Sequence, residues 1–333
     1  MKLDFEKIKE ITQGAERIIK NGDGISFLRF TEEEDRVYSS SELYPRTFAT
    51  AGVKLHFKTD AKALSMNVRV EKITNLSIFA FDVYVNKEYF GSIKNYPYDI
   101  PKTGYSEKEY PTGSFGGRYE LPFGEKEIEI YFPWSVKAIL TSLTLEDATF
   151  AESIKKEKKL LVYGDSIVQG TAAQNPSQVH TIRLAELLDA EIYSKAIGSE
   201  VYFPELAELK SRSYSPDYIY VGYGANDWYT LAYSDAEDRC ARFWKAICEN
   251  YPDAKKICVS PIWYRDHNVE RPFGPLSGAE EIQRRVTEKY SDITFVRGWE
   301  LVPHLDGYLV DGVHPNNDGF DFFYNNLKKE LGL

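Results

Sequence analysis

The stretch LLVYGDSIVQG, residues 160–170, carries four apolar or aromatic residues into Gly164-Asp165-Ser166 and then resumes as a helix-compatible segment. Two readings fit it. One is an ordinary strand-to-helix turn in which Asp165 or Ser166 caps the helix. The other makes Ser166 a nucleophile, held at a sharp turn with its hydroxyl presented to a cleft. Gly, Asp and Ser are common turn residues in any case, so the choice depends on what accompanies the stretch along the chain.

Downstream, short apolar runs alternate with helical segments: EIYSKAI, YIYVGYG, KICVSPIW and ITFVRG follow LLVYG in order. Ser234-x-x-Glu237 and Ser277-x-x-Glu280 have the spacing of capping boxes, each predicted to open a helix. The last helix places Phe320, Phe323, Leu327 and Leu331 on one face. Strands alternating with helices predict a parallel sheet covered on both faces, with a site outside the carboxyl ends of its strands.

Upstream the period is two. Val53, Leu55 and Phe57 alternate with Lys54, His56 and Lys58. Leu64 to Val70, Phe79 to Val85, and Ile128 to Phe132 repeat the pattern, with turn residues such as Asn86-Lys87 and Gly116-Gly117 between them. Strands with one buried face, packed this densely, predict a β-sandwich. The change of period divides the chain into an N-terminal β-sandwich domain at residues 1–150, with a leading helix, and an α/β domain at 151–333. Between them KKEKK, residues 155–159, is expected to be a solvated hinge.

Composition narrows the class. Of 333 residues, 43% are hydrophobic and 28% charged, which places the chain among folded globular proteins. No run approaches the roughly 20 apolar residues of a membrane span. The first twenty residues are charged and amphipathic, without the apolar core of a signal peptide. A net charge of -10 argues against a phosphate-backbone partner. Cys240, Cys248 and Cys258 have no metal-binding spacing, and their odd number suits reduced thiols in a cytoplasm.

The strand ends then supply the chemistry. The first ends in Gly164-Asp165-Ser166, the second in Ala196-Ile197-Gly198-Ser199, the third in Gly224-Ala225-Asn226-Asp227-Trp228 and the fourth in Ser260-Pro261-Ile262-Trp263. A late loop carries Asp311-Gly312-Val313-His314-Pro315. Acyl transfer needs a nucleophile, a base, a group that orients the base, and donors for the oxyanion. Ser166, His314 and Asp311 fit the first three roles. The N–H groups of Ser166 and Gly198 and the amide of Asn226 fit the fourth. Asp165 is expected to organise the turn. His56, on the outward face of a strand, His180, on an amphipathic helix, and His267 and His304, in loops, are expected to be structural or exposed. Trp228 and Trp263 are either packing residues or walls for an acyl group or sugar ring.

Gly-Asp-Ser, Gly-Ala-Asn-Asp and Asp-Gly-Val-His-Pro in this order resemble the blocks of the SGNH (GDSL-type) hydrolase superfamily. The resemblance covers residues 158–333. It implies a flavodoxin-like sheet, ester hydrolysis, and the four eponymous roles on Ser166, Gly198, Asn226 and His314, with Asp311 orienting the base. The second block departs: the family commonly has Asn about two residues before the glycine, where this chain reads Ser194-Lys195-Ala196-Ile197-Gly198. The sandwich placed before such a domain is similar to the two-domain carbohydrate esterases of family 2. The expected protein is therefore a serine esterase for short acyl groups, such as O-acetyl groups on a small molecule or oligosaccharide. No cofactor or metal is implied, nor a membrane or nucleic-acid partner. A lysophospholipase or thioesterase, and a non-catalytic glycan-binding protein, are the alternatives.

Overall fold

A computed structural model describes all residues except 23, 75, 99, 107 and 211. Its C-terminal half is a five-stranded parallel sheet: β1 (Lys158–Gly164), β2 (Ala190–Ser194), β3 (Tyr218–Gly222), β4 (Lys255–Val259) and β5 (Ile293–Val296). The spatial order is β2-β1-β3-β4-β5, the flavodoxin-like order. Its topological switch point falls between β1 and β3. The register shows why both faces need helices. Tyr163 of β1 lies opposite Val221, and Tyr220 of β3 opposite Val162, so the two tyrosines project to opposite sides. The Tyr163 ring meets Phe243 of helix α2 (Tyr233–Asn250), whereas the Tyr220 hydroxyl meets His180 of helix α1 (His180–Leu187). Helix α3 (Ser277–Thr287) packs beside α2, and the last helix, α4 (Asn317–Glu330), beside α1.

The N-terminal half consists of two antiparallel sheets. One has six strands in the order Thr12–Gln13, Lys54–Thr59, Lys126–Tyr131, Ala80–Val85, Glu88–Lys94, with Ala151–Ser153 also on Lys54–Thr59. The other has five: Arg17–Asn21, Gly24–Leu28, Val136–Glu146, Ala63–Lys72, Gly113–Glu120. The apolar residues of the period-two pattern, Leu55, Phe57, Leu64, Met66, Phe81, Val83, Ile128 and Ile130 among them, fill one core between these sheets. A short helix, Phe5–Ile11, buries Ile8 and Ile11 against it.

Several local expectations are corrected. Neither predicted capping box forms: α2 starts at Tyr233 and α3 at Ser277, so Ser234 and Ser277 already lie inside the first turn, where a side chain cannot cap. The box that does form is Thr31 with Glu34, at the start of Glu32–Tyr38. His56 is 3% exposed, not outward. The polar face of its strand is covered by the other half of the chain. There Lys54 Nζ lies 2.6 Å from Glu129 and 2.7 Å from Glu186 of α1, and His56 Nε2 lies 2.7 Å from Glu127. The stretch 155–159 is exposed at Lys155, Glu157 and Lys158, but it is tied down rather than a free hinge. Lys158 and Lys159 belong to β1, and Lys156 is buried on Glu186 at 2.6 Å.

The contact between the halves is therefore extensive, and much of it is polar. Lys195, which has no exposed surface, sits 2.7 Å from Glu16 and 2.8 Å from Glu34. Arg212 also pairs with Glu34. Arg29, 1% exposed, donates to the carbonyls of Ser194 and Ala196 at 2.9 and 3.0 Å. Buried Asp82 accepts from Asn175 and from the N–H and hydroxyl of Ser177. Phe30, Tyr38, Tyr105 and Trp134 join the same apolar cluster as Leu161, Ala196 and Leu206. Lys195, just beyond β2, thus serves the seam between the halves.

Candidate active site

One residue past β1, Ser166 opens the short helix Ser166–Gln169, with the intervening Asp165 as its N-cap. Asp165 Oδ1 accepts the Ile167 N–H at 3.0 Å, the organising role expected of it. The turn is tight enough to demand glycine: a Cβ on Gly164 would lie 2.5 Å from Val168 Cγ2 and 2.7 Å from the Gly222 carbonyl of β3. Glycine on both strands lets the Ser166 helix press onto the sheet.

His314 reaches this turn from the loop before α4. Its Nε2 lies 2.8 Å from Ser166 Oγ, and its Nδ1 lies 2.8 Å from Asp311 Oδ2. The Asp311 carboxylate can only accept, so it fixes the proton on Nδ1 and leaves the Nε2 lone pair facing the serine hydroxyl. The other carboxylate oxygen accepts the N–H groups of Val313 at 3.1 Å and His314 at 2.9 Å, which holds the acid rigid. Burial alone would raise the Asp311 pKa. The hydrogen bonds and charge of His314 outweigh it and lower the value to about 2. Asn316 then caps α4, accepting the Gly319 N–H at 2.9 Å.

Of the three expected oxyanion donors, two are free to serve. The Ser166 N–H has no partner among the described residues, as befits the first turn of a helix. Asn226 lines the same cavity and donates one of its two amide hydrogens to the Glu200 carbonyl at 3.0 Å, leaving the second unengaged. Gly198 also lines the cavity, but its N–H is occupied: it donates to Gln169 Oε1 at 2.6 Å. Gln169 is held in that orientation because its own amide donates to the Trp134 carbonyl at 2.8 Å.

Behind Asn226, fully buried Glu200 accepts the Tyr38 hydroxyl and, at 2.8 Å, the Tyr223 hydroxyl. Burial pushes its carboxyl up to about 8 from an ordinary 4.5, against the two hydrogen bonds. The folded chain then keeps a proton that the unfolded chain loses, so this group makes stability fall as pH rises between those two values. Replacing Glu200 with Gln is expected to remove that slope: the variant's melting temperature gains on the wild type between pH 5 and pH 9. Parallel melting curves across that range would overturn the assignment.

The cavity around Ser166 and His314 has a volume of about 370 Å³. Arg46, Thr74, Leu76, Ser106, Trp134 and Ser135 line it from the N-terminal half. Trp228 and Trp263, left open between packing residues and walls, do not line this cavity. Trp228 is 4% exposed, and its indole N–H is turned onto the Gly274 carbonyl at 2.9 Å. Trp263 stacks on His304 with ring centroids 5.6 Å apart, in a surface cluster with His267 and Trp299. The tryptophan of the cavity is Trp134, which the strand-end argument missed because it comes from the sandwich. His180 is fully buried and stacks on Phe323 of α4 with centroids 3.8 Å apart.

One His/Glu cluster among the described residues has metal-ligand spacing, His56 with Glu127 and Glu129. The Lys54 ammonium already neutralises Glu129 there. No helix among the described residues is long and apolar enough to cross a membrane.

The fold and the serine–histidine–aspartate relay define the class of carboxylic ester hydrolases. Residues 162–322 match the model of the GDSL-like Lipase/Acylhydrolase family. Among solved structures, the chain resembles a salicylyl-acyltransferase, SsfX3, from a tetracycline biosynthetic pathway. That pair has a TM-score of 0.79 at 20% identity, over 96% of this chain and 93% of the other. A candidate GDSL-like lipase from Bacteroides ovatus superposes with a TM-score of 0.75 at 18% identity, over 98% and 97%. A family two carbohydrate esterase from Cellvibrio japonicus gives 0.61 at 17% identity, also over 98% and 97%. No curated protein matches the sequence.

Proposed function

We propose that the protein is a serine esterase that removes short acyl groups through an acyl-enzyme, with O-acetyl groups on a carbohydrate as its substrate class. The observation that carries this is the continuous relay of Asp311, His314 and Ser166, with both links at 2.8 Å, opening into a cavity with many small polar residues in its lining. His314 takes the Ser166 proton as Oγ attacks the ester carbonyl, and the imidazolium is stabilised by Asp311. The Ser166 N–H and the free hydrogen of Asn226 receive the oxyanion. Gly198 joins them when Gln169 gives up its N–H. Protonation of the leaving alcohol by His314 yields the acyl-enzyme, and a water deprotonated by the same imidazole releases the acid. Residues 1–150 and 151–333 are proposed as two units that build this cleft together.

The lining supports a short acyl group. Thr74, Ser106, Thr171 and Ser199 bring hydroxyl-bearing side chains to the lining beside apolar Leu76, Trp134, Ile167 and Val313, and the volume of about 370 Å³ is at the small end for a ligand pocket. That speaks against a lysophospholipase, and the intact relay speaks against a purely glycan-binding role. The similarity to a salicylyl-acyltransferase favours a second reading, in which an alcohol replaces water as acceptor of the same acyl-enzyme. A chain-length series of 4-nitrophenyl esters tests the proposal. Acetate or propionate is expected to exceed octanoate at least tenfold in kcat/KM, by about the discrimination several methylenes give a small site. Acetate should also be released from an acetylated xylo-oligosaccharide. A preference for octanoate would overturn the short-acyl reading. Transfer to added alcohol outpacing hydrolysis would replace it with the acyltransferase.

A further inference from the structure

Arg46 sits on the one-turn helix Tyr44–Phe48 of the N-terminal half and reaches across the seam into the catalytic cavity. Its Nη1 donates to the Gly198 carbonyl and, at 2.8 Å, to Ser199 Oγ. Gly198 and Ser199 form the loop next to the nucleophile, and Ser199 holds a left-handed φ of 68°. Those two bonds use one end of the guanidinium. The Nε–H and both Nη2 hydrogens have no acceptor among the described residues, and no carboxylate pairs with the side chain.

Those free donors are open to the cavity, where an incoming acceptor can reach them. Arg46 is half-buried, which lowers its pKa, and no carboxylate among the described residues lies within ion-pair distance of it. Arg212 and Arg17 pair with carboxylates, Arg29 donates to carbonyls, and Arg271 lies over the rings of Trp228 and Tyr229. The remaining titratable groups of the cavity are His314 and Asp311, which are committed to each other. A planar fork of free donors beside the reacting serine is suited to a carboxylate, which it can hold with two parallel hydrogen bonds.

We infer that Arg46 is a specificity-determining residue that binds a carboxylate on the substrate, beside the ester bond that Ser166 attacks. This rests on the esterase reading and extends it. If the acyl group is as short as acetate, it has no room for a second charge, so the carboxylate belongs to the alcohol part. The substrate class is then an acylated hydroxy acid, for which an O-acetylated acidic sugar is the carbohydrate form.

The test compares 2-, 3- and 4-acetoxybenzoate, which place a carboxylate at three distances from one ester, with the matching neutral acetoxybenzamides. In the wild type at least one acid is expected to exceed its amide in kcat/KM by about tenfold to a hundredfold, the range of a charge-assisted hydrogen bond. Arg46→Met should collapse that acid-to-amide ratio, chiefly through KM, and Arg46→Lys should retain part of it. Any change from loosening the Gly198–Ser199 loop affects acid and amide alike and cancels in the ratio. The hydroxybenzoate product should likewise inhibit 4-nitrophenyl acetate hydrolysis by the wild type and lose that inhibition in Arg46→Met. The inference is overturned if no acid is preferred, or if Arg46→Met lowers acid and amide equally. Absence of any 4-nitrophenyl acetate turnover by the wild type would instead remove the esterase reading, so the two failures are distinguishable.

Discussion

Ser166→Ala is expected to lower turnover of 4-nitrophenyl acetate by about 10⁴-fold or more, and His314→Ala by a similar factor, because the relay acts as a unit. The two losses should not multiply in the double variant, since removing either end leaves the other with nothing to do. A fluorophosphonate should label the wild type at Ser166 and leave Ser166→Ala unlabelled. Asn226→Ala should cost less, about 10²- to 10³-fold in kcat with little change in KM, because its free hydrogen serves charge that develops only in the transition state. A folded Ser166→Ala protein with near-normal activity would show that the nucleophile is another residue. A large KM effect without a kcat effect at Asn226 would make it a substrate contact.

The second large effect concerns stability. Lys195→Met removes the ammonium from between Glu16 and Glu34, a site with no exposed surface on the lysine and almost none on the acids. Glu34 keeps Arg212, but Glu16 loses its cation, and stranding one buried charge costs about 3–5 kcal/mol, a large share of the roughly 5–15 kcal/mol that holds a protein folded. The same reasoning extends to truncation. Removing residues 1–150 would strand Lys195 and Arg212 without their carboxylates and bare the apolar surface under Phe30, Tyr38 and Trp134. The fragment 151–333 is therefore expected to be insoluble or unfolded, and calorimetry of the whole chain should show one cooperative transition. Two well-separated transitions, or a soluble active fragment, would show that the halves are independent.

Much of this architecture was legible because periodicity reports burial. The apolar positions Leu55, Phe57, Leu64 and Met66 all fall in the sandwich core, and the five apolar runs from LLVYG onward become the five parallel strands. Ser166, His314 and Asp311 were legible because a sheet of this kind gathers its strand ends at one edge. What escaped was everything the two halves do to each other. Alternation marks the opposite face of a strand as polar, but polar does not mean wet, and Lys54 and His56 are buried against the second half. Arg46 and Trp134 lie far from the catalytic blocks in sequence, and no local pattern distinguishes them from surface residues. Trp228 and Trp263 could be read as packing or as cleft residues because following a strand end sets only a side chain's neighbourhood. Their rings are claimed by Gly274 and by the histidines of a surface cluster.

The hydrogen-bond chain from the Trp134 carbonyl through Gln169 to Gly198 has an implication for anyone who tries to transplant this site. Trp134 lies just beyond the sandwich strand Lys126–Tyr131, so the amide beside the nucleophile is held by backbone from outside the family-matched segment. A graft of the Gly-Asp-Ser, Gly-Ala-Asn-Asp and Asp-x-x-His blocks onto another scaffold would carry the reagents without the clamp that sets one of them. Conversely, a library confined to the α/β half would leave untouched the residues that shape the mouth of the cavity. Retooling this enzyme for a new ester means redesigning two pieces of chain in concert.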